Sequence, residues 1–395
     1  MCAVEWKALS EIFEMRGGYT PSTKNKDFWE DGILPWFRME DIREKGNILS
    51  DSTLHITPTA VKKNGLFPQN SIILATSATI GEHALLTVPA LSNQRFTAFY
   101  PKEKYVDRVN CKFAYYVFYL IDEWCKNNIV QGGFASVDMT GLKKYLFPIP
   151  SLAKQQEIVS QLDTFTTLIF NLESELDMRR KQYEHYRNQL LDFEGVEGVE
   201  WKPYAKIGTI TDYVSNGSFA DLRNNVEYKQ AVDYAILVRT VDFSTNFDKS
   251  KLVYIDEKAY NFLSKSKLFG GEIIINNIGA GVGSTFICPQ LGQPMSLAPN
   301  AIMLNTPNNK FYYYWFVSKY GQDKMMSIVA KSAMPKFNKT GFKGLEVPIP
   351  SSETQQQIVE KLDAFEQLIQ SLETEIKLRK QQYEYYREKL LTFEK

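Results

Sequence analysis

Imidazoles and thiols are the side chains that most often run chemistry near neutral pH, and this 395-residue chain has few of either. His55, His83 and His185 are the only histidines. They stand at no spacing that makes a triad or a metal site. Cys2, Cys111, Cys125 and Cys288 are scattered without a C-x-x-C pair. A disulfide framework and a zinc site are therefore not expected, and a reduced, cytoplasmic protein is. Gly279-Ala280-Gly281-Val282-Gly283 follows a strand-like run, but its last glycine comes one position early for G-x-G-x-x-G. It reads as a tight hairpin turn. No G-x-x-x-x-G-K-[ST] loop and no Asn/Asp-Pro-Pro-aromatic motif occurs, which argues against a P-loop ATPase and an aminomethyltransferase. What remains is electrostatic. Lys324, Lys331, Lys336, Lys339 and Lys343 lie between Asp323 and Glu346 with no acid among them. A basic loop with aromatic neighbours suits phosphate contact; a solvated lysine face is the plainer reading.

The charge of the whole chain hides this. Lys plus Arg and Asp plus Glu are both 46, so the formal net charge is zero. By segment, 1–147 and 199–347 together carry +6, while 148–198 and 348–395 carry −6. With 25 Phe, 22 Tyr and 6 Trp the chain can build real cores. The first ten residues hold Glu5 and Lys7 and no apolar h-region, so no secretory signal is expected. The densest apolar run, 113–121, is too short to span a bilayer, so no membrane partner is expected.

An internal repeat organises everything else. Residues 141–194 align without a gap on 341–394, with 28 identities in 54 positions. Pro148-Ile149-Pro150-Ser151 matches Pro348-Ile349-Pro350-Ser351, and Gln155-Gln156 matches Gln355-Gln356. The preceding regions repeat more faintly: Val4-Glu5-Trp6-Lys7 recurs as Val199-Glu200-Trp201-Lys202. The globular parts have diverged and the connecting segments have not. A shared task falls to the connectors and separate tasks to the globular parts.

The connectors read as long helices. From Ile158 the apolar positions run Leu162, Phe165, Ile169, Leu172, Leu176, Arg179, Tyr183, Tyr186, Leu190, Phe193, in steps of four and three. That is a heptad seam, and Ile358 to Phe393 repeats it. The prolines set its upstream limit, and Glu194-Gly195 is expected to stop the first copy through a left-handed cap. Each helix would be roughly 55 Å long. The two seams are expected to pair antiparallel. Arg179 and Arg379 interrupt the seam, either as a register-setting polar layer or as contacts to a partner; Tyr183, Tyr186, Tyr383 and Tyr386 suit packing or docking equally. The globular parts read as mixed α and β. Ser71–Ala75 and Glu272–Asn276 are strand-like, and Phe113–Ile121 and Phe311–Val317 are buried helices.

With these residues in view, the chain resembles the specificity subunit of type I restriction–modification systems. The A–h–A′–h′ plan carries the likeness, as does Pro-Ile-Pro-Ser followed by Gln-Gln-x-Ile-Val and Leu-Asp in both copies. Gly17-Gly18-Tyr19-Thr20-Pro21-Ser22, with Ile33-Leu34-Pro35-Trp36 leading to Asp41-Ile42, is similar to a family pattern near the start of a recognition domain. Ser92-Asn93-Gln94-Arg95 matches a family Asn-Gln position, where the second domain has Ala298-Pro299-Asn300. The resemblance implies an α+β fold with target-recognition domains over 1–147 and 199–347. The central conserved helix covers 148–198 and the C-terminal one 348–395, forming an antiparallel coiled coil with pseudo-twofold symmetry. It implies a chain that is not itself an enzyme. Each domain would read one half of a split, asymmetric site in double-stranded DNA, and the rod would set the spacing. Two modification subunits would dock on the rod and bring S-adenosylmethionine; restriction subunits would bring ATP and Mg.

Base edges call for Arg, Asn, Gln, Ser, Thr and Lys on loops. The candidates in the first domain are Thr20, Ser22, Lys24, Arg38, Ser77, Thr79, Gln94, Arg95 and Gln131. In the second they are Asn216, Ser218, Arg223, Arg239, Asn276, Asn277, Lys331, Lys336 and Lys339. Arg38 and Arg239, each just after an apolar run, also suit internal structural roles. A coiled-coil scaffold with protein- or ligand-binding heads is the alternative, and a stand-alone methyltransferase a weaker third.

Overall fold

The computed structural model describes residues 4–130, 135–330 and 332–394. It divides into two compact units: residues up to Glu173 together with those from Thr374 onward, and Ser174–Glu373. Each unit holds one globular part and half of each long helix.

In the first unit a five-stranded sheet is ordered Phe13–Gly17, Phe96–Pro101, Ile72–Ala75, His83–Leu86, Ile48–Leu49. Ile72–Ala75 is apolar without alternation because both its faces are covered. Ile72 and Leu74 pack with the helix Cys111–Asn127, and Ile73 and Ala75 pack on the opposite side with Trp36, Phe37 and Leu91. Those three belong to a smaller sheet. In it Leu34–Phe37 pairs antiparallel with His55–Ile56 and parallel with Leu91–Ser92. Phe13, Phe99, Phe118 and Phe147 meet edge to face in the helix-side core.

The second unit repeats the plan with one strand fewer in the main sheet. Its order is Thr209–Asp212, Ala301–Asn305, Ile273–Asn276, Thr285–Ile287. Ile273 and Ile275 face Phe311 and Trp315, while Ile274 faces Val238 and Leu297. Ala235–Val238 pairs antiparallel with Tyr254–Ile255 and parallel with Met295–Leu297. The expected tight turn after Asn276 is an eight-residue loop instead. The strands end at Asn276 and resume at Thr285, and Gly279 and Gly283 both take positive φ. The buried helix also differs between copies. Cys111–Asn127 is continuous, whereas Asn309–Val317 stops at Ser318, whose hydroxyl caps a new helix, Lys319–Ser327.

A buried histidine–carboxylate pair lies inside the first unit. His83 Nδ1 is 2.6 Å from Asp122 Oδ2, and His83 Nε2 is 3.0 Å from the Tyr115 carbonyl oxygen. This histidine thus ties the strand His83–Leu86 to the helix Cys111–Asn127.

The route from globular part to long helix is the same in both units. Glu5–Ala8 pairs antiparallel with Leu146–Ile149, and Glu200–Pro203 with Glu346–Ile349, placing Trp6 opposite Pro148 and Trp201 opposite Pro348. Ser151 and Ser351 then cap the long helices Leu152–Leu190 and Ser352–Leu391. Gln155 is fully buried; its amide donates to the Pro150 and Arg108 carbonyls and its Oε1 accepts from Asn110 N–H. Two turns on, Asp163 accepts from Lys112 Nζ and Tyr116 OH, both at 2.6 Å. Asp363 repeats this with Lys310 and Tyr314. Burial, then the neighbouring carboxylate, raises both tyrosine hydroxyls above the usual range, so they remain donors at neutral pH. Asn110 also caps the helix Cys111–Asn127 through the Lys112 and Phe113 amides. Asn110→Ala is expected to cost about 1 kcal/mol of first-unit stability, read as a lowered urea midpoint.

The heptad reading holds, and the helices pair antiparallel within each unit. In the second unit Tyr186 stacks on Phe365 at 5.6 Å and Arg180 meets Glu373 at 2.6 Å. In the first, the duplicate residues do the same: Tyr386 stacks on Phe165 at 5.4 Å and Lys380 meets Glu173 at 2.7 Å. The expected stop at Gly195 comes early, since the first helix ends at Leu190. Leu191 and Phe193 leave the helical path to enter the second unit's core, and Gly195 takes its positive φ in the turn beyond.

Candidate nucleic-acid interface

In both units the same backbone bonds frame one end of the main sheet. Thr76 N–H donates to the Arg95 carbonyl at 2.9 Å, and Asn277 N–H to the Asn300 carbonyl at 3.2 Å. Val137 N–H reaches the Thr76 carbonyl, and Phe337 N–H the Asn277 carbonyl. Isolated bridges join Ser77 to Ser136 and Ile278 to Lys336. Asp138 and Asn338 then cap the following short helices with their side chains. The chemistry grafted on this shared frame differs.

The second unit forms a cleft of about 540 Å³ here, lined by Asn277, Asn300, Lys336, Lys339, Asn338 and Phe219 among others. Lys336 and Asn300 are exposed, and neither side chain has a hydrogen bond or ion pair among the described residues. Lys339 is spoken for: its Nζ lies 2.9 Å from Asp212 Oδ1 and 2.5 Å from Ser215 Oγ. Asn277 Nδ2 reaches the Phe337 carbonyl at 3.5 Å, while its Oδ1 has no partner among the described residues. Phe219 opens the helix Phe219–Asn225 and is 80% exposed. A free cation, the unpaired Asn300 carboxamide and an exposed aromatic ring together suit a polyanion with base edges.

In the first unit Thr20 Oγ1 donates to Gln94 Oε1 at 2.6 Å, leaving the Gln94 amide N–H groups outward. Arg95 is exposed and its guanidinium has no ion pair among the described residues. Ser77 and Thr79 sit half-buried on the loop facing this strand end. Ser22, Lys24 and, in the second unit, Arg223 are exposed.

Other candidates are engaged internally. Arg38 and Arg239 head short helices, and their backbone N–H groups donate to Asp41 and Asp242 at 2.7 and 2.8 Å, while the Arg38 guanidinium has only Glu40, at 3.8 Å, among the described residues. The Arg239 guanidinium also holds Asp242 and the Lys251 carbonyl. Asn216 bridges Tyr213, Lys265 and Ser266. Ser218 caps its helix through Asp221 N–H, and Asn276 Oδ1 accepts from Ile278 N–H. Gln131 and Lys331 lie outside the described residues. Asn300, Asn338 and Phe219 were not among the sequence candidates. Only Asn300 carried a signal, as the misfit opposite Asn93-Gln94. Of the basic loop, Lys324 Nζ lies 5.3 Å over the Trp201 ring, which leaves Lys336 and Lys343 outward.

On the helices, Arg179 and Arg379 each bond within their own helix, to Glu175 and Gln182 and to Glu375 and Gln382. Tyr183 OH donates to Glu366 at 2.9 Å, and burial raises its hydroxyl above the usual range. Tyr383 has Thr166 at the matching position; burial pushes it up to about 12, and Arg387 lies over its ring. Leu168, Leu368, Met178 and Leu378 stay exposed at matching places on both helices.

Among the described residues no cluster of histidine, cysteine and carboxylate side chains could hold a metal, and no helix is long and apolar enough to cross a membrane.

The family model described as "Type I restriction modification DNA specificity domain" matches residues 3–177 and 199–379. The specificity subunit of the type I restriction enzyme EcoprrI of Escherichia coli is 38% identical over 380 residues, covering 93% of this chain and 89% of that one. Two solved structures share the fold. The HsdS subunit from Thermoanaerobacter tengcongensis has a TM-score of 0.55 at 15% identity, over 99% of this chain and 97% of that one. The type I S subunit from M. genitalium has a TM-score of 0.54 at 14% identity, over 100% and 97%. The frame repeated in both units is thus the one the family model matches twice, and the chain belongs to the DNA specificity subunits of type I restriction–modification systems.

Proposed function

We propose that each globular part reads one half of a bipartite, asymmetric DNA target while the paired helices fix the spacer and seat two modification subunits. One observation carries this reading: the two units repeat one backbone frame but carry different exposed polar side chains on it, Arg95 and Gln94 in the first, Asn300 and Lys336 in the second. Identical frames with unlike readers suit unlike half-sites. Matched helices with matched exposed residues suit two places for one kind of partner. The chain contributes no catalytic group. S-adenosylmethionine belongs to the modification subunits, and ATP and Mg to the restriction subunits. The scaffold alternative draws no support from the family match.

The test is duplex binding by the chain in complex with its modification subunits across a salt series. Binding should weaken log-linearly with salt, because phosphate contacts release counterions. Lys336→Ala should lower affinity for all sequences alike and reduce the slope by about one. A complex that binds duplex with no salt dependence contradicts the reading. Failure of the isolated chain to bind S-adenosylmethionine is the matching expectation for the cofactor.

A further inference from the structure

The strand register makes Arg95 equivalent to Asn300, the residue that the sequence sets opposite Asn93-Gln94. Counting back from the bonded strand pairs, Ala75 lies opposite Phe96, and Asn276 opposite Ala301. Arg95 and Asn300 each stand one place before those partners, at the start of the strands Phe96–Pro101 and Ala301–Asn305. Both give their carbonyl to the residue after the central strand. Both are exposed, and both side chains lack partners among the described residues. Their neighbours on the frame are less suited: Thr76 is buried against Thr97, and Pro299 has no polar side chain.

We infer that Arg95 and Asn300 are the corresponding base readers of the two units, Arg95 for a guanine in one half-site and Asn300 for an adenine in the other. The inference rests on the bipartite reading proposed above. The chemistry assigns the bases. A guanidinium pairs both acceptors of guanine, O6 and N7, in the major groove, and a carboxamide pairs N6 and N7 of adenine. A phosphate contact would need neither geometry. Asn300 has a further reason to be itself. Its φ is +70°, a region that asparagine tolerates and most side chains do not. The site therefore holds its amide on a fixed backbone, next to the Lys336 cation that can meet the phosphates.

The test uses the chain assembled with its modification subunits and S-adenosylmethionine, and reads methylation across a library of duplexes. Arg95→Ala removes the guanidinium from an exposed position. Asn300→Gly removes the amide yet keeps the left-handed backbone, so folding is preserved. Arg95→Ala should relax discrimination at one guanine of one half-site by about 5- to 150-fold and leave the other half-site unchanged. Asn300→Gly should do the same at one adenine of the other half-site. Unchanged discrimination at every position overturns the assignment, as does a uniform loss of rate over all sequences, which marks a phosphate contact. A wild-type complex with no bipartite preference overturns the assignment together with the reading beneath it.

Discussion

Removing one heptad from each long helix, Leu172–Met178 together with Leu372–Leu378, is expected to abolish modification of the native target. Each deletion shortens a helix by about 10 Å at 1.5 Å per residue. Because whole heptads leave from both copies, the seam keeps its phase: Phe165 still meets Tyr386 and Tyr186 still meets Phe365. Folding is therefore retained, and the loss is one of reach. Along B-DNA about 10 Å is about three base pairs. Such a change also rotates one half-site around the duplex axis, so the native spacer can no longer satisfy both units. Methylation of the native target should fall by more than about 100-fold, since small misplacements already cost about that much. Any recovered activity should be on a shorter spacer. Wild-type rates on the native target contradict the ruler.

Gly18→Ala is expected to disable the first unit's reading alone. A Cβ at position 18 would lie 2.2 Å from the Asn93 carbonyl oxygen and 2.4 Å from that of Ser92. Both obstacles are backbone, so the segment carrying Gln94 and Arg95 must move. Gly18 N–H also donates to the Phe96 carbonyl, which ties it to the strand that Arg95 precedes. Overpacking of this kind costs about 1–3 kcal/mol, visible as a lower first-unit melting temperature. Displacing the reading segment should cut methylation about 100-fold and relax one half-site, with the other intact. A variant with wild-type rate and unchanged sequence preference would show that the Ser92–Arg95 segment does not read DNA.

The parts of this architecture that were legible in the sequence are those fixed by local periodicity or by duplication. The four–three spacing from Ile158 to Leu190 needs only a partner seam, and the second copy supplies one. Ile72–Ala75 announces a doubly covered strand because nothing in it alternates. Phe311–Val317 ends where Ser318 can cap the next helix. The site was less legible because it depends on register and on distant partners. Arg95 and Asn300 are 205 positions apart, while the long helices repeat at 200 and the first strands at 195, so insertions hide their equivalence. Nothing near Asn216 reveals that Ser266 and Lys265 will occupy its amide. Lys339 likewise reads as a free cation until Asp212 comes to it from 127 residues away. The Gly195 stop failed for a related reason: the core's demand for Leu191 and Phe193 outweighs a favourable cap.

Long-read modification sequencing of genomic DNA, from cells that express functional partner subunits with and without this gene, tests the central claim most directly. Adenine methylation is expected at one split, asymmetric motif and vanishes with the gene. Identical methylation in both strains, or a motif that is continuous rather than split, would contradict that claim.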